Sequence, residues 1–330
     1  MKYDRDKVID ERKLLRARGP LLRLGIDPAA SSSAIHAALR STRTGQYARL
    51  LTTRAYKAQL SQARGVYSGV QYLAPEKEAG IAGHSSCHFA SVGCASTCIK
   101  STGHMVTAAA ARARLKKTLR WFLFEEQTTE DLRFEVEMLE GMSKLKGMDP
   151  TARLDGTSDD RFWRRVPWWR EVGTRFYDYT KRPVTGMALA AIDDGWHLTF
   201  SLSERPESLQ QSQRWAEGGT NTALVVAGPI RRSRDLHRRV THALLERGEF
   251  AGRPVLDGDR DDLRYLDPSV GGWVLLASKG GPANRDESGF VVRFDPEVLL
   301  GSDLPAEHAL LSVSDRARFT RGGHRAAAAK

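Results

Sequence analysis

The chemistry-bearing residues of this 330-residue chain begin with its cysteines, Cys87, Cys94 and Cys98, which stand in the run S-S-C-H-F-A-S-V-G-C-A-S-T-C. Their spacing is C-x6-C-x3-C, and there are no others. An odd number of cysteines within one short loop is a poor disulfide framework, whereas thiolates are soft ligands that suit iron–sulfur clusters and zinc. Ser85, Ser86, Ala90, Ser91, Gly93, Ala95 and Ser96 are small enough to let backbone fold closely around an inorganic core. The expectation is a [4Fe-4S] cluster held at three corners by Cys87, Cys94 and Cys98. The fourth corner falls to His84, His88, His104, a distant carboxylate, water, or a ligand such as S-adenosylmethionine, because an open metal position marks a reactive site. Zinc in a Cys3His set is the alternative, but structural zinc sites use shorter spacings than the x6 gap. A third possibility is that the cysteines are simply small buried hydrophobes.

A second set of residues lies after strand-like runs. Apolar and β-branched segments recur at Gly65 to Pro75, Ala152–Leu154, Arg175–Tyr179, Trp196–Ser201, Thr222–Ala227, Pro254–Leu256 and Gly272–Ala277. Their separation, together with long helical patterns from Thr107 onward, favours an α/β fold, a TIM-like (β/α) barrel of irregular form. Reactive groups in such folds stand at the carboxyl ends of strands. There the chain carries Asp155, Thr157, Ser158, Asp159, Asp178, Thr180, Lys181, Ser201, Ser203, Asp257, Asp259 and Lys279. Asp155, Asp159, Asp178, Lys181, Asp257 and Lys279 are the candidate catalytic residues, able to orient a ligand or move protons. Any one of them is also explained as an ordinary turn residue.

The elements that position these groups divide into a basic helical N-terminal extension (1–62), a barrel domain carrying the cysteine loop (63–300) and a C-terminal tail (301–330). In the extension, residues 7–18 and 33–62 read as helices broken at Gly19-Pro20 and between Asp27-Pro28 and Ser33, without a repeat strong enough for a core of their own. Thr128 to Asp131 offers a variant capping box for a helix that carries Leu132, Val136 and Leu139 on one face.

Charge is unevenly placed. Of the net +11, residues 1–60 supply a surplus of eight, with thirteen Lys/Arg against five Asp/Glu. Such a segment can attract nucleic acid or another polyanion, and it can equally be a solvated face. Arg112, Arg114, Lys116, Lys117 and Arg120 form a basic helix after the cysteine loop, either an exposed face or a receiver for an anionic ligand. Trp163, Trp168 and Trp169 with Arg161, Arg164, Arg165 and Arg170 mix aromatic and cationic groups as nucleic-acid grooves do, although Trp is also core material. No secretory signal pattern and no membrane-length apolar run is present, so a cytoplasmic protein without a membrane partner is expected.

Y-L-A-P from Tyr72, the cysteine loop, the stretch Ala113 to Phe124, R-L-D-G-T-S-D from Arg153, F-Y-D-Y-T-K from Phe176, H-L-T-F-S from His197 and D-G-D-R-D-D-L-R-Y-L-D-P from Asp257 together resemble a bacteriophage protein family. The likeness spans about residues 65–295. It departs at His88, where the family has Pro, and at Asp155, where it has Asn. The resemblance implies a protein encoded by a phage or prophage of an actinobacterial host, with the three cysteines as cluster ligands, and brings no activity with it. A more distant likeness is to radical S-adenosylmethionine enzymes, which also place a three-cysteine cluster after the first strand of a β/α barrel. Their C-x3-C-x2-C spacing differs from this one. A phage nucleic-acid-binding or host-takeover protein with a structural or redox-sensing cluster is the competing function.

Overall fold

Each of the seven strand-like runs becomes a strand in the computed structural model, which describes residues 8–230, 233–301 and 303–326. Residues 1–7 of the predicted extension, 231–232 of the predicted barrel domain, and 302 and 327–330 of the predicted tail lie outside the described residues. The chain begins with helices α1 (Glu11–Arg23) and α2 (Ser32–Arg40), strand β1 (Leu51–Thr52), α3 (Tyr56–Gln62) and β2 (Val66–Gln71). Then come α4 (Val92–Ser96), α5 (Ala108–Leu123), α6 (Glu125–Lys146), β3 (Asp149–Arg153), α7 (Phe162–Arg165) and β4 (Arg175–Thr180). After these follow α8 (Gly186–Asp193), β5 (His197–Ser201), α9 (Pro206–Glu217), β6 (Thr222–Ala227), α10 (Arg234–Arg247), β7 (Glu249–Phe250) and β8 (Arg253–Asp257). Strand β9 (Trp273–Ala277), α11 (Gly280–Asn284), β10 (Val292–Arg293), α12 (Pro296–Gly301) and α13 (Val313–Ala326) complete the order.

The chain divides into two compact units, one of residues up to 88, 104–178 and 194–196, the other of 89–103, 179–193 and 197 onward. In the first, β1 pairs antiparallel with β2, and β2, β3 and β4 run parallel in sequence order, with Val66 opposite Asp149 and Thr151 opposite Arg175. Helix α6 buries Leu132, Val136 and Leu139, the face predicted from the pattern. It starts earlier than predicted, at Glu125, and Thr128 donates back to the Phe124 carbonyl instead of capping.

The predicted extension has no core of its own. Ala17, Leu21, Ile35 and Leu39 pack with Leu119, Phe122 and Phe124 of the α5 region. Each such aliphatic side chain contributes about 1.5–3 kcal/mol on burial. The expected break at Gly19-Pro20 is absent: α1 runs through Pro20, whose cost of about 3 kcal/mol in a helix interior is offset by placing Pro20 and Leu21 in this core. The expected helix at 33–62 is split, because residues 41–49 turn back, Thr42 and Gln46 bonding across a loop whose Gly45 has φ +77°.

The basic residues of α5 are spent on partners within the chain, although Arg112 is itself exposed and Lys116 half-buried. Arg112 donates to the Leu24 carbonyl at 2.6 Å, Lys116 to Ala38 and Ser41, Lys117 to Leu50 at 2.7 Å and Arg120 to Ala48 at 2.7 Å. Arg120 is also paired with buried Asp131 at 2.7 Å. Arg112 and Lys116 satisfy carbonyls left over at the ends of α1 and α2, a role that helix carboxyl termini favour, while Lys117 and Arg120 satisfy those of the segment between α2 and β1. Trp163, Trp168 and Trp169 are likewise buried, Trp169 lying edge-on to Trp196 at 5.2 Å, so they form core and not a groove.

In the second unit β5, β6, β9 and β8 are parallel neighbours, β7 closes antiparallel on β8, and β10 pairs parallel with the far end of β6. Here β8 lies outside β9 although it precedes it, so the consecutive winding seen in β2–β3–β4 is not kept. Phe250, Trp273, Phe294 and Phe319 cluster in its core, the last from the predicted tail. Both units are α/β with mostly parallel strands. No described helix is long and apolar enough to cross a membrane.

Candidate functional site

In the first unit, the carboxyl ends of β3 and β4 gather the predicted Asp155, Thr157, Ser158, Asp159 and Asp178. The loop after β3 must pass tightly against β2, since a Cβ at Gly156 would lie 2.5 Å from the Gln71 carbonyl and 2.7 Å from Val70. Asp178 receives the Asp155 amide at 2.7 Å, and Asp155 in turn receives the Ser158 hydroxyl at 2.6 Å and the Asp160 amide at 2.9 Å. The carboxylates thus tie down a turn by accepting from backbone, as Asx residues do. The segment holding Cys87 pairs with this turn. The Asp159 amide donates to the Ser86 carbonyl at 2.8 Å, Thr157 donates to the Leu73 carbonyl, and the Cys87 thiol lies 3.6 Å from the Thr157 carbonyl.

Asp155 and Asp178 are each 1% exposed, and the second oxygen of each has no hydrogen-bond partner among the described residues. Burial, followed by the charges of Asp159 and Asp160, pushes Asp155 up to about 7. Burial and then Asp155 push Asp178 well above the ordinary carboxylate range. Two carboxyls so placed cannot both ionise cheaply, so the pair retains a proton near neutral pH.

Beside this turn lies a cleft of about 950 Å³, whose lining includes Leu73, His84, His88, Trp121, Phe122, Glu125, Asp160, Arg161, Arg164 and Arg165. It therefore opens where β2 and β3 end. His84 leans on Phe122 at 5.1 Å between ring centres. Burial, and then Arg165, His88 and Arg16, lower it to about 4, which keeps the ring neutral. Arg165 pairs with Glu125 at 2.7 Å and with Asp160, and lies 4.8 Å over Trp121. Arg161, at the lip, adopts φ +60°, a left-handed backbone that a non-glycine residue takes at a cost.

The second unit holds Cys94 and Cys98. Cys94 lies in α4, whose N-cap Ser91 accepts the Cys94 amide at 3.1 Å. Glu204, just after β5, receives the Ser91 hydroxyl at 2.6 Å and the Gly93 amide at 2.8 Å. Arg205 donates to the Ala90 carbonyl at 2.8 Å. Gly93 is required by crowding, since a Cβ there would meet the Ser288 hydroxyl at 2.2 Å and Phe290 at 2.6 Å. Glu204 was not among the predicted residues. Its only sequence signal is its place directly after the Ser201-Leu202-Ser203 strand end.

The other predicted rim residues of this unit are engaged in structural bonds. Lys181 donates to the Ser201 hydroxyl at 2.6 Å. Asp257 receives the amides of Asp259 and Arg260. Asp259 pairs with Lys279 at 2.5 Å and takes the Ala277 amide at 2.8 Å, knitting the ends of β8 and β9 together.

The three cysteines are all unbridged and half-buried. By chemistry the donor set suits a soft metal centre. Among the described residues no group of three or more His, Cys, Asp or Glu is placed to hold a metal ion. Cys87 belongs to one unit, Cys94 and Cys98 to the other.

Residues 42–293, well over half of the chain, match the model of a family described as Gene product 88. The match reaches back past residue 65 to take in β1 and α3. No curated protein and no solved structure matches the chain.

Proposed function

We propose that this chain, which belongs to the Gene product 88 family, is an iron–sulfur protein in which Cys87, Cys94 and Cys98 ligate three irons of a [4Fe-4S] cluster. The observation that carries this reading is the presence of three half-buried thiols within twelve positions of the chain, none of them in a disulfide, on segments fixed by polar anchors. A bound cluster would supply one-electron chemistry, or a Lewis-acidic fourth iron for a ligand such as S-adenosylmethionine. The chain's own residues hold a proton at Asp155 and Asp178, keep His84 neutral, and line a cleft of a size common for small-molecule sites. The reading keeps the barrel expectation in local form, as consecutive parallel strands with functional loops at their carboxyl ends, and places the protein in the cytoplasm of a phage host.

Anaerobic purification tests it. The expected product is brown, with about four iron and four sulfide per chain, and with visible absorbance lost in Cys98→Ala. Added S-adenosylmethionine should change the electron paramagnetic resonance spectrum if it occupies the open iron. Colourless protein, or protein holding zinc alone, overturns the cluster.

A second reading rests on the exposed Arg12, Arg18, Arg43, Arg49 and Arg54, which internal bonds leave at the surface of the N-terminal segment. They favour nucleic-acid binding that weakens steeply with salt and depends on residues 1–60. Absence of binding to DNA and RNA at low salt removes this reading.

A further inference from the structure

Formal charge in the cleft of the first unit balances, with four basic residues against four acidic ones along its lining. The charges left over after internal pairing do not balance. Glu125 and Asp160 are both spent on Arg165, and Glu126 and Arg161 have partners of their own within the chain. Lys13 and Arg164 make no side-chain hydrogen bond or ion pair among the described residues, and Glu130 is the one lining acid so left. The Lys13 ammonium lies 5.9 Å over the Phe122 ring, and Arg164 is exposed on α7. Two cations without counter-charge at one cavity suit a ligand that brings a dianionic group, of which a phosphate monoester is the common kind.

The rings of the lining say what else the ligand carries. His84 is half-buried against Phe122, His88 is exposed, and His84 makes no side-chain hydrogen bond among the described residues. Burial and the neighbouring Arg165 keep it uncharged at neutral pH. One of its nitrogens then donates and the other accepts. A cleft for phosphate alone is better served by a charged imidazole. A neutral ring with both hydrogen-bonding senses open matches the edge of a heterocyclic base, and its face offers a stacking surface. Glu130 suits the same ligand as an acceptor for a ribose hydroxyl or a base amino group. The cavity, at about 950 Å³, holds a ligand of this size. Arg161 at the lip keeps its left-handed backbone at a cost of about 1–3 kcal/mol, strain of a kind found at ligand clamps.

We propose that this cleft is a nucleotide site, in which Lys13 and Arg164 receive the phosphate and His84 reads the base. The proposal rests on the reading of the cleft as a small-molecule site and not on the cluster, since every residue it uses lies in the first unit and none is a cysteine.

Isothermal titration calorimetry on the full chain tests it, with the four ribonucleoside 5′-monophosphates, adenosine, inorganic phosphate and a short single DNA strand as probes. The expected result is one nucleotide per chain, with adenosine and inorganic phosphate at least about tenfold weaker because each keeps only half of the contacts. Arg164→Glu and Lys13→Glu should each weaken nucleotide binding about tenfold without lowering the melting temperature, as neither side chain has an internal partner. Lys144→Gln, exposed and outside the cleft, should change nothing. His84→Phe keeps a ring against Phe122 and removes both nitrogens, so it should weaken nucleotides while leaving phosphate binding as it was. A DNA strand that mononucleotide displaces and Arg164→Glu weakens assigns the site to nucleic acid; nucleotide binding without strand binding assigns it to free nucleotide. No binding of nucleotide or strand at about 1 mM overturns the proposal, as does binding indifferent to Arg164→Glu and Lys13→Glu. Inorganic phosphate bound as tightly as nucleotide overturns it too, because the base then contributes nothing. Cys98→Ala should bind nucleotide as the unaltered chain does. A colourless chain that binds nucleotide removes the cluster alone, and a brown chain that binds none removes the nucleotide site alone.

Discussion

The turn that pairs with the Cys87 segment and the short helix that carries Cys94 are both fixed by carboxylates accepting backbone amides, yet their surroundings differ. Asp155 and Asp178 are fully buried, lie next to one another, and each leaves an oxygen unpartnered. Glu204 is half-buried, and both its oxygens are used, one by Ser91 and one by Gly93. A buried like-charged pair stores protonation energy, whereas a single satisfied carboxylate at a helix start only stabilises. One cysteine therefore rests on a buried pair that holds a proton and another on a single carboxylate with both oxygens hydrogen-bonded.

The largest effect expected from breaking this comparison is at its glycines. A Cβ at Gly156 meets the Gln71 carbonyl, which is backbone within β2, while a Cβ at Gly93 meets the Ser288 and Phe290 side chains. Gly156→Ala should cost about 3–4 kcal/mol and Gly93→Ala about 2 kcal/mol in urea unfolding, since side chains can yield where a strand cannot.

Next comes pH. Asp155 rises from 3.8 to about 7 on folding, so the folded chain holds more protons than the unfolded one. Its contribution is fully present below pH 4 and is lost as pH climbs through 7. At about 1.4 kcal/mol per unit the loss is on the order of 4 kcal/mol. Asp155→Asn keeps the acceptor for Ser158 and Asp160 and removes the proton, so stability measured from pH 4 to 8 should flatten, with a residual slope from Asp178.

Glu204→Ala should cost about 2 kcal/mol, because it strands the Gly93 amide and the Ser91 hydroxyl. Ser91→Ala, which removes the α4 cap, should cost about 1 kcal/mol by the same measurement. If Glu204→Ala leaves stability unchanged in urea unfolding, its role in holding the start of α4 fails.

Much of this was legible in the residues themselves. All seven longer strands were visible because each is a β-branched or aromatic run bounded by turn formers, and Asp155 and Asp178 were found because the first directly follows such a run and the second lies near the carboxyl end of one. The two-residue strands β1, β7 and β10 were not visible, since their pairing depends on neighbours brought from elsewhere. Glu204 was missed because nothing near it in sequence shows that Ser91 and Gly93 will meet it, more than 110 positions away.

Sequence by itself determined the three-cysteine loop, the α/β class and the polar character of the strand ends, because those follow from residue type and local period. Only tertiary structure decided what the charges do. The cations of α5 looked like an exposed face or an anion receiver, and became internal donors to the carbonyls of Leu24, Ala38, Ala48 and Leu50. A charge has no direction in a sequence. Its role is set by which unsatisfied backbone group the fold brings within hydrogen-bond reach, since leaving that group buried and unpaired costs more than spending the cation on it.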